Sequence, residues 1–527
     1  MVCTLLCVLA ASAALHVVLA SAGAKNWLLL ASRMWLQGAR LDVDFVEINP
    51  PLIIWLYALP VRASLALPAL ADYAALGLMG LVCAALTVGL STALLRFHPQ
   101  CAEPRMCVLF ALALACIFVF LTSPAVFFDR DHILLMLTFP YMLRFMPSLA
   151  RQSLPWTLRL ATGALAALGF CIKPHGALIF AVLQLLYLLR ERKAAILWSI
   201  ENIIIFCAAT VYLFCVWHFV PEYVHAIFPM ALKTYSAYSR EGSALLYLPL
   251  AFFSAGLTFA EFRLRHATPY RRDILYFTGI AAAFLIYALI SNGWEYTYHP
   301  LFSLLQFLSV LVFVEYRWLQ ASHEAQGLPS KSFFFGARGC VMSLGVQALY
   351  MAAGLVGAFF AAIYVQNNCK GYMECRESQP YVQYVEEHKA KSFGTMTLDF
   401  PKWTSLARMT NAHWETRFNH LWMLPGLVQE GAPKKAKYPW ILDYVANAYA
   451  QDLDSRRPDI VFVDAGYQYY VPSGELDLPG YFAQVPAFAL SWSHYRREAT
   501  LDECTPSPAP YARSACRYDV YRRTDSP

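Results

Sequence analysis

The sequence is short of charge: of 527 residues only 14% are Asp, Glu, Lys or Arg, against 58% apolar and 15% aromatic. A soluble globular domain carries about 25% charged residues, so this shortage excludes an ordinary soluble protein and points to a chain embedded in a membrane. Nucleotide-binding signatures are missing too, with neither a P-loop nor a G-x-G-x-x-G turn. The G-x-S-x-G elbow of serine hydrolases is also absent. Internal repeats and low-complexity segments are lacking. The net charge of +6 is small, and the basic residues lie in short loops between apolar runs. That placement is a topology signal and excludes a nucleic-acid partner.

What the sequence has in quantity is apolar runs of spanning length, roughly 17–25 residues. They fall at about 2–22, 69–95, 106–122, 132–150, 157–172, 176–190, 196–220, 244–260, 274–291, 299–315 and 340–365. The first lacks a basic leader and a cleavage site, so it reads as a retained helix rather than a signal peptide. Arg96, Arg105, Arg151, Arg159, Arg190, Arg192, Lys193, Arg263, Arg265, Arg271, Arg272, Arg317, Lys331 and Arg338 all fall in alternate loops, which marks those loops as cytoplasmic. The remaining loops, 23–68, 123–131, 173–175, 221–243 and 292–298, then face outward, as does the tail from Gln366.

Fourteen cysteines divide in the same way. Those up to Cys340 sit in or beside apolar segments, where a thiol is a small hydrophobe. Cys369, Cys375, Cys504 and Cys516 lie in the polar tail as two close pairs, the pattern of disulfides in an oxidising compartment, and no pair has zinc-finger spacing. In the tail, Trp440 to Leu453 has helical apolar spacing, and Asp459 to Asp464 reads as a buried strand. The expected architecture is a polytopic α-helical membrane protein of about eleven spans (residues 1–365) with a C-terminal extracytoplasmic α/β domain (366–527). A bacterial inner membrane with a periplasmic tail is the expected setting.

The outward loops collect the unusual polar residues. Asp42, Asp44 and Glu47 stand within six residues, followed by Asn49-Pro50-Pro51. Asp129-Arg130-Asp131-His132, Lys173-Pro174-His175, Glu222 with His225, and Asn292 to His299 with Trp294 complete the set. Taken singly each has an ordinary reading: a helix cap at Asp131, a snorkelling Lys173, loop histidines, an aromatic belt at Trp294 and Tyr296. Together they place acids, imidazoles and cations on one membrane face. A carboxylate there would act as base on a hydroxyl, while Arg130, His132, Lys173 and His175 would hold a lipid phosphate as it leaves. Asp131, Trp294 and His299 are candidate substrate contacts. Glu47, Glu222, His225 and His299 are candidate metal ligands, without diagnostic spacing for any divalent ion.

The segment Gly38-Ala-Arg-Leu-Asp-Val-Asp-Phe-Val-Glu-Ile-Asn-Pro-Pro-Leu52 resembles the first outer loop of GT-C glycosyltransferases. It is nearest to bacterial members related to protein O-mannosyltransferases and the lipid A aminoarabinose transferase, whose pattern is Gly-x-x-x-Tyr-x-Asp-x-x-Glu-x-x-Pro-Pro-Leu. Arg130-Asp131-His132 before Pro140-Tyr141, Gly169 to His175, and Gly293 to His299 are similar to further landmarks of these enzymes. The resemblance covers most of residues 20–315. It implies an outer-face active site, a polyprenyl-phosphate-linked sugar donor, a glycan, lipid or protein hydroxyl acceptor, and inversion at the anomeric carbon. By position Asp44 would be the base and Glu47 its support or a metal ligand. Asp42 stands where the pattern has Tyr, which leaves the base open between Asp42 and Asp44. Lys25-Asn26-Trp27 stands where many relatives carry an acid, which keeps a non-catalytic envelope scaffold as an alternative. A lipid-linked glycan transporter is a further alternative, although the spans carry little mid-depth charge and no repeat.

Overall fold

The computed structural model describes residues 2–20, 24–98, 104–150, 152–173, 175–191, 197–237, 271–291, 295–325, 359–360, 362–369, 371–373, 375–398, 401–429, 432–466, 471, 476–502 and 517–524. The expected spans at 244–260 and most of 340–365 lie outside these residues, as do Pro174, Trp294, Cys504 and Cys516. The chain divides into two compact units that interleave along the sequence. The first comprises 1–20, 67–214 and 240–364; the second comprises 21–66, 215–239 and 365–527.

The first unit is helical: α1 (Val2–Val18), α4 (Asp72–Leu95), α5 (Pro104–Ala115), α6 (Arg130–Arg144), α7 (Trp156–Ile172) and α8 (Gly176–Glu191). It continues with most of α9 (Ile200–Phe219), then α11 (Arg271–Ile290) and α12 (His299–Ala325). The helices follow the apolar runs because an uninterrupted run of this length satisfies its backbone internally in lipid. Among the described residues three helices, Asp72–Leu95, Ile200–Phe219 and Arg272–Ile290, are long and apolar enough to cross a membrane, and five apolar helices, one of them (Leu52–Ala66) in the second unit, are shorter. On α9, Ile203, Phe206, Val211, Leu213 and Phe214 are exposed, as expected of a lipid-facing helix. By contrast, every residue of α6 is buried, charged ends included. Gly169 lets α7 lie against it, since a Cβ there would meet Thr138 Cγ2 at 2.8 Å.

α6 is fixed at its second end by a buried ion network. Arg144 Nε donates to Glu201 at 3.0 Å and Arg159 Nε to the same carboxylate at 2.8 Å. Beside it, Gln184 donates to the Tyr141 hydroxyl at 2.6 Å and Asn202 to Gln184 at 2.8 Å. A second buried group joins His98, Ser148 and Asp273, with His98 Nε2 3.2 Å from the Asp273 carboxylate. Both networks satisfy polar groups that would otherwise be costly among apolar helices.

The second unit combines the first outer loop with the tail. It contains α2 (Ala24–Leu36), α3 (Leu52–Ala66), α10 (Phe228–Thr234), α13 (Cys375–Glu387) and α14 (Pro401–Met409). Further along come α15 (Leu424–Leu427), α16 (Pro439–Ser455), α17 (Leu478–Phe482) and α18 (Pro486–Trp492). A five-stranded sheet runs in the order β2-β1-β5-β7-β6, from β1 (Ser392–Met396), β2 (His413–Trp414), β5 (Ile460–Asp464), β6 (Tyr495–Asp502) and β7 (Arg517–Arg523). β2, β1 and β5 are mutually parallel, β7 is antiparallel to β5, and β6 is antiparallel to β7 and so runs in the direction of the first three. β3 (Val428–Gln429) and β4 (Ala432–Ala436) form a separate hairpin. The helix and strand expected at 440–453 and 459–464 are therefore present as α16 and β5. Trp403, Phe462, Tyr381 and Tyr518 make the core between the sheet and helices α13 and α14. Gly426 is required by close approach, because a Cβ there would lie 2.5 Å from the Thr234 backbone.

A disulfide joins Cys369, just after the helical stretch 362–368, to Cys375 at the start of α13. Closing a seven-residue loop withdraws about 2 kcal/mol of unfolded-chain entropy. Cys369→Ser is expected to lower stability by about that amount. Thermal melting with and without reductant checks it: reductant lowers the melting temperature of the parent by more than that of the variant.

Candidate functional site

In the second unit the first loop is stitched to the tail. Val46 bridges Phe418, with the Val46 N–H donating to the Arg417 carbonyl at 2.8 Å. Arg417 is held by a bidentate pair with Asp452 of α16, Nη2 to Oδ1 at 2.8 Å. Asn26, where relatives carry an acid, donates from Nδ2 to Ser405 Oγ at 3.1 Å. Its neighbour Lys25 is fully buried. The N-terminal part of α2, Lys25-Asn26-Trp27, thus packs against α14 and contributes to the joint.

The three loop carboxylates occupy different environments. Asp44 is partly exposed and clamped by two guanidiniums, Arg40 Nε at 3.1 Å and Arg456 Nη2 at 3.3 Å. Partial burial pushes its pKa up, but hydrogen bonds and charge from Arg40, with charge from Arg456, outweigh that and hold it below the usual carboxylate range. Glu47 is buried with both oxygens engaged, Oε2 accepting from Trp27 Nε1 at 2.6 Å and Oε1 from the Asn49 N–H at 2.8 Å. Asp42 is 1% exposed and sits at φ 63°, the left-handed region that a non-glycine residue rarely adopts. Its Oδ1 accepts the Glu47 N–H at 3.0 Å, while buried Oδ2 has no hydrogen-bond partner among the described residues. Burial, together with the nearby charges of Glu47 and Glu222, raises the Asp42 pKa well above an ordinary carboxylate.

Glu222 belongs to the same surroundings. The Tyr444 hydroxyl from α16 donates to its Oε1 at 2.7 Å. His225 does not join this group; it is exposed, its ring 5.2 Å from Trp217. Among the described residues no three His, Cys, Asp or Glu side chains converge as a metal site. The Glu47 oxygens are already occupied by N–H donors, so the residues present do not fit a bound divalent ion.

In the first unit the basic and imidazole residues do converge, at the start of α6. Asp129 caps the helix, accepting from the Arg130 N–H, and its Oδ1 also receives Arg130 Nε at 3.1 Å. Lys173, just after α7, is buried and donates to Asp131 Oδ2 at 2.6 Å and to the Tyr287 hydroxyl at 3.1 Å. Tyr287 in turn donates to Asp131 Oδ1. Tyr296 links the two cations, its ring centre 5.4 Å from Arg130 Cζ and 5.2 Å from Lys173 Nζ. The His132 and His299 rings stand edge to face at 5.0 Å, and His132 Nδ1 accepts the Phe128 N–H at 2.9 Å. His175 is exposed, 5.8 Å from the Tyr287 ring. Arg130, Asp131, His132, Lys173, His175 and His299 are thus gathered from four helix ends. Tyr287, the hub of this cluster, was not singled out by sequence reasoning, because a tyrosine inside an apolar span carries no distinguishing signal.

No protein-family model matches the chain, and no curated protein does. The solved structures include similar ones. ArnT from Cupriavidus metallidurans bound to undecaprenyl phosphate superposes with a TM-score of 0.51 at 14% identity, over 99% of this chain and 98% of that one. The same protein in the apo state gives 0.49 at 14% identity, over 94% of this chain and 92% of that one. The Archaeoglobus fulgidus oligosaccharyltransferase tethered to an acceptor peptide gives 0.46 at 13%, over 99% of this chain and 74% of that one. The fold of this chain is therefore similar to that of ArnT over nearly the whole length of both chains.

Proposed function

We propose that this protein is a membrane glycosyltransferase that moves a sugar from a polyprenyl-phosphate-linked donor to a hydroxyl acceptor on the outer face of a bacterial inner membrane. The observation that carries the reading is the cation and imidazole cluster at the start of α6, where Arg130 and Lys173 share the Tyr296 ring beside His132 and His299. A GT-C fold whose similar structure holds undecaprenyl phosphate supports a lipid phosphate as the group these cations receive.

The roles follow from the chemistry. Arg130 and Lys173 would neutralise the phosphate as the bond from its oxygen to the anomeric carbon breaks, and the lipid phosphate departs with an added charge. The acceptor oxygen attacks that carbon from the opposite side, inverting it, and gives up its proton. Of the first-loop carboxylates, Asp42 rather than Asp44 has the surroundings of a base. A base works best with a pKa near the operating pH; the Asp42 pKa is raised where that of Asp44 is lowered, and Asp42 Oδ2 accepts no hydrogen bond among the described residues. Asp44 orients Arg40 and Arg456, and Glu47 holds the loop through Trp27 and Asn49.

Arg130→Ala is expected to weaken binding of a polyprenyl phosphate about 10- to 100-fold, the value of one charge-assisted hydrogen bond. Titration of detergent-solubilised protein with undecaprenyl phosphate measures it. Unchanged affinity in this variant removes the cluster as the phosphate site.

A further inference from the structure

Away from the cluster at the start of α6, the first unit has a cavity of about 800 Å³ between α1, α4 and α5. Its walls include Ala10, Leu81, Val88, Gly89 and Ala111, with Arg96 among the lining residues. The small side chains hollow the surface: a Cβ on Gly89 would meet nothing within 4 Å. Thr92 is the other polar lining residue, and its hydroxyl is committed to the Val88 carbonyl at 2.7 Å. Arg96 is exposed and makes no side-chain hydrogen bond or ion pair with a described residue. From Leu81 to Arg96 the groove follows α4 for about 22 Å, at 1.5 Å per residue. One leaflet of a bilayer is about 15 Å of hydrocarbon.

We propose that this groove binds one anionic phospholipid, with an acyl chain lying along Gly89 and the phosphate at Arg96. Length and lining fit an acyl chain, since the groove exceeds one leaflet in depth and presents no free polar group along its course. Charge fits the headgroup, because the charged lining residue, Arg96, lies at the end of α4, where the basic loops put the cytoplasmic surface. Arg105, in the first turn of α5, adds a second cation at the same end of the helix pair. A guanidinium at that level attracts anionic lipid and has no comparable preference for a zwitterion. The site is separate from the Arg130–Lys173 cluster and does not rest on the proposed transfer activity.

Native mass spectrometry of the full chain, released from nanodiscs of equimolar phosphatidylglycerol and phosphatidylcholine, tests it. The parent is expected to retain one phosphatidylglycerol in preference to phosphatidylcholine. Arg96→Ala lowers that retention about fivefold, the factor one interfacial cation supplies. Gly89→Phe fills the groove and abolishes retention of both lipids. Because the open space at Gly89 accepts a ring, its melting temperature stays at the parent value; Gly89→Leu serves as a second filling variant. Phosphatidylglycerol retention that survives groove filling, as when another segment of the chain occupies the groove, overturns the proposal. So does a phosphatidylglycerol preference that persists in Arg96→Ala.

Discussion

Asp42→Asn is expected to abolish sugar transfer and, at neutral pH, to raise the melting temperature. The first effect is the loss of a general base, worth about 10²–10⁴ in rate. The second follows from the environment of the carboxyl. Its folded pKa is raised by burial and by Glu47 and Glu222, so the native state binds the proton more tightly than the unfolded chain. The stability this contributes is complete below the unfolded carboxylate pKa and is lost as pH rises through the folded value. An amide carries no such charge, so the variant escapes that loss. Melting curves should show the parent falling relative to the variant as pH increases above about 4. Asp44→Asn should behave oppositely. It keeps measurable transfer, and because the Asp44 pKa is lowered in the fold, the stability it supplies is present above the unfolded pKa and lost on acidification. Transfer rates for both variants, read beside their melting curves, separate a base from a structural clamp. Near-normal transfer by Asp42→Asn removes Asp42 from that role.

Asp131→Ala is expected to be the most damaging single change to stability. The Asp131 carboxylate is fully buried and receives both Lys173 Nζ and the Tyr287 hydroxyl. Removing it leaves the buried Lys173 ammonium without its counter-charge, and breaking such a pair from one side costs about 3–5 kcal/mol. Asp131→Asn, which still accepts hydrogen bonds, should cost less. Replacing both partners, as in Asp131→Leu with Lys173→Met, should recover much of the loss, since an apolar pair of similar volume avoids the uncompensated charge. Thermal unfolding in detergent with the three variants checks the order. A double replacement as unstable as Asp131→Ala would show that packing around Tyr287, and not the ion pair, fixes this corner.

The helices of the first unit were legible because a run of about twenty apolar residues admits few alternatives in a membrane. α16 and β5 were legible for a related reason, since their apolar spacing is local. What escaped the sequence depends on distant contacts. Residues 21–66 and 215–239 group with the tail through Val46–Phe418, Arg456–Asp44 and Tyr444–Glu222, pairs separated by more than 200 residues, which no periodicity encodes. Asn26 looked like a missing acid until its bond to Ser405 gave it a structural task. Asp42 and Asp44 are indistinguishable as letters. They differ by a positive φ, a buried oxygen and two guanidiniums, and those decide which of them has a pKa suited to proton transfer. The cations at 130 and 173 were readable as charges out of place near apolar helices, whereas Tyr287 was not, and Tyr296 read only as part of an aromatic belt and not as the ring between the two cations.

The central claim is transfer of a sugar from a polyprenyl-phosphate donor. Mass spectrometry of lipid-linked and envelope glycans, in cells deleted for this protein and in cells restored with the parent or with Asp42→Asn, tests it most directly. A polyprenyl-phosphate sugar is expected to accumulate in the deletion and in Asp42→Asn, one envelope glycan, lipid or protein to lack that sugar, and the parent to restore both. Unaltered lipid-linked sugars and complete glycans in the deletion strain would contradict it.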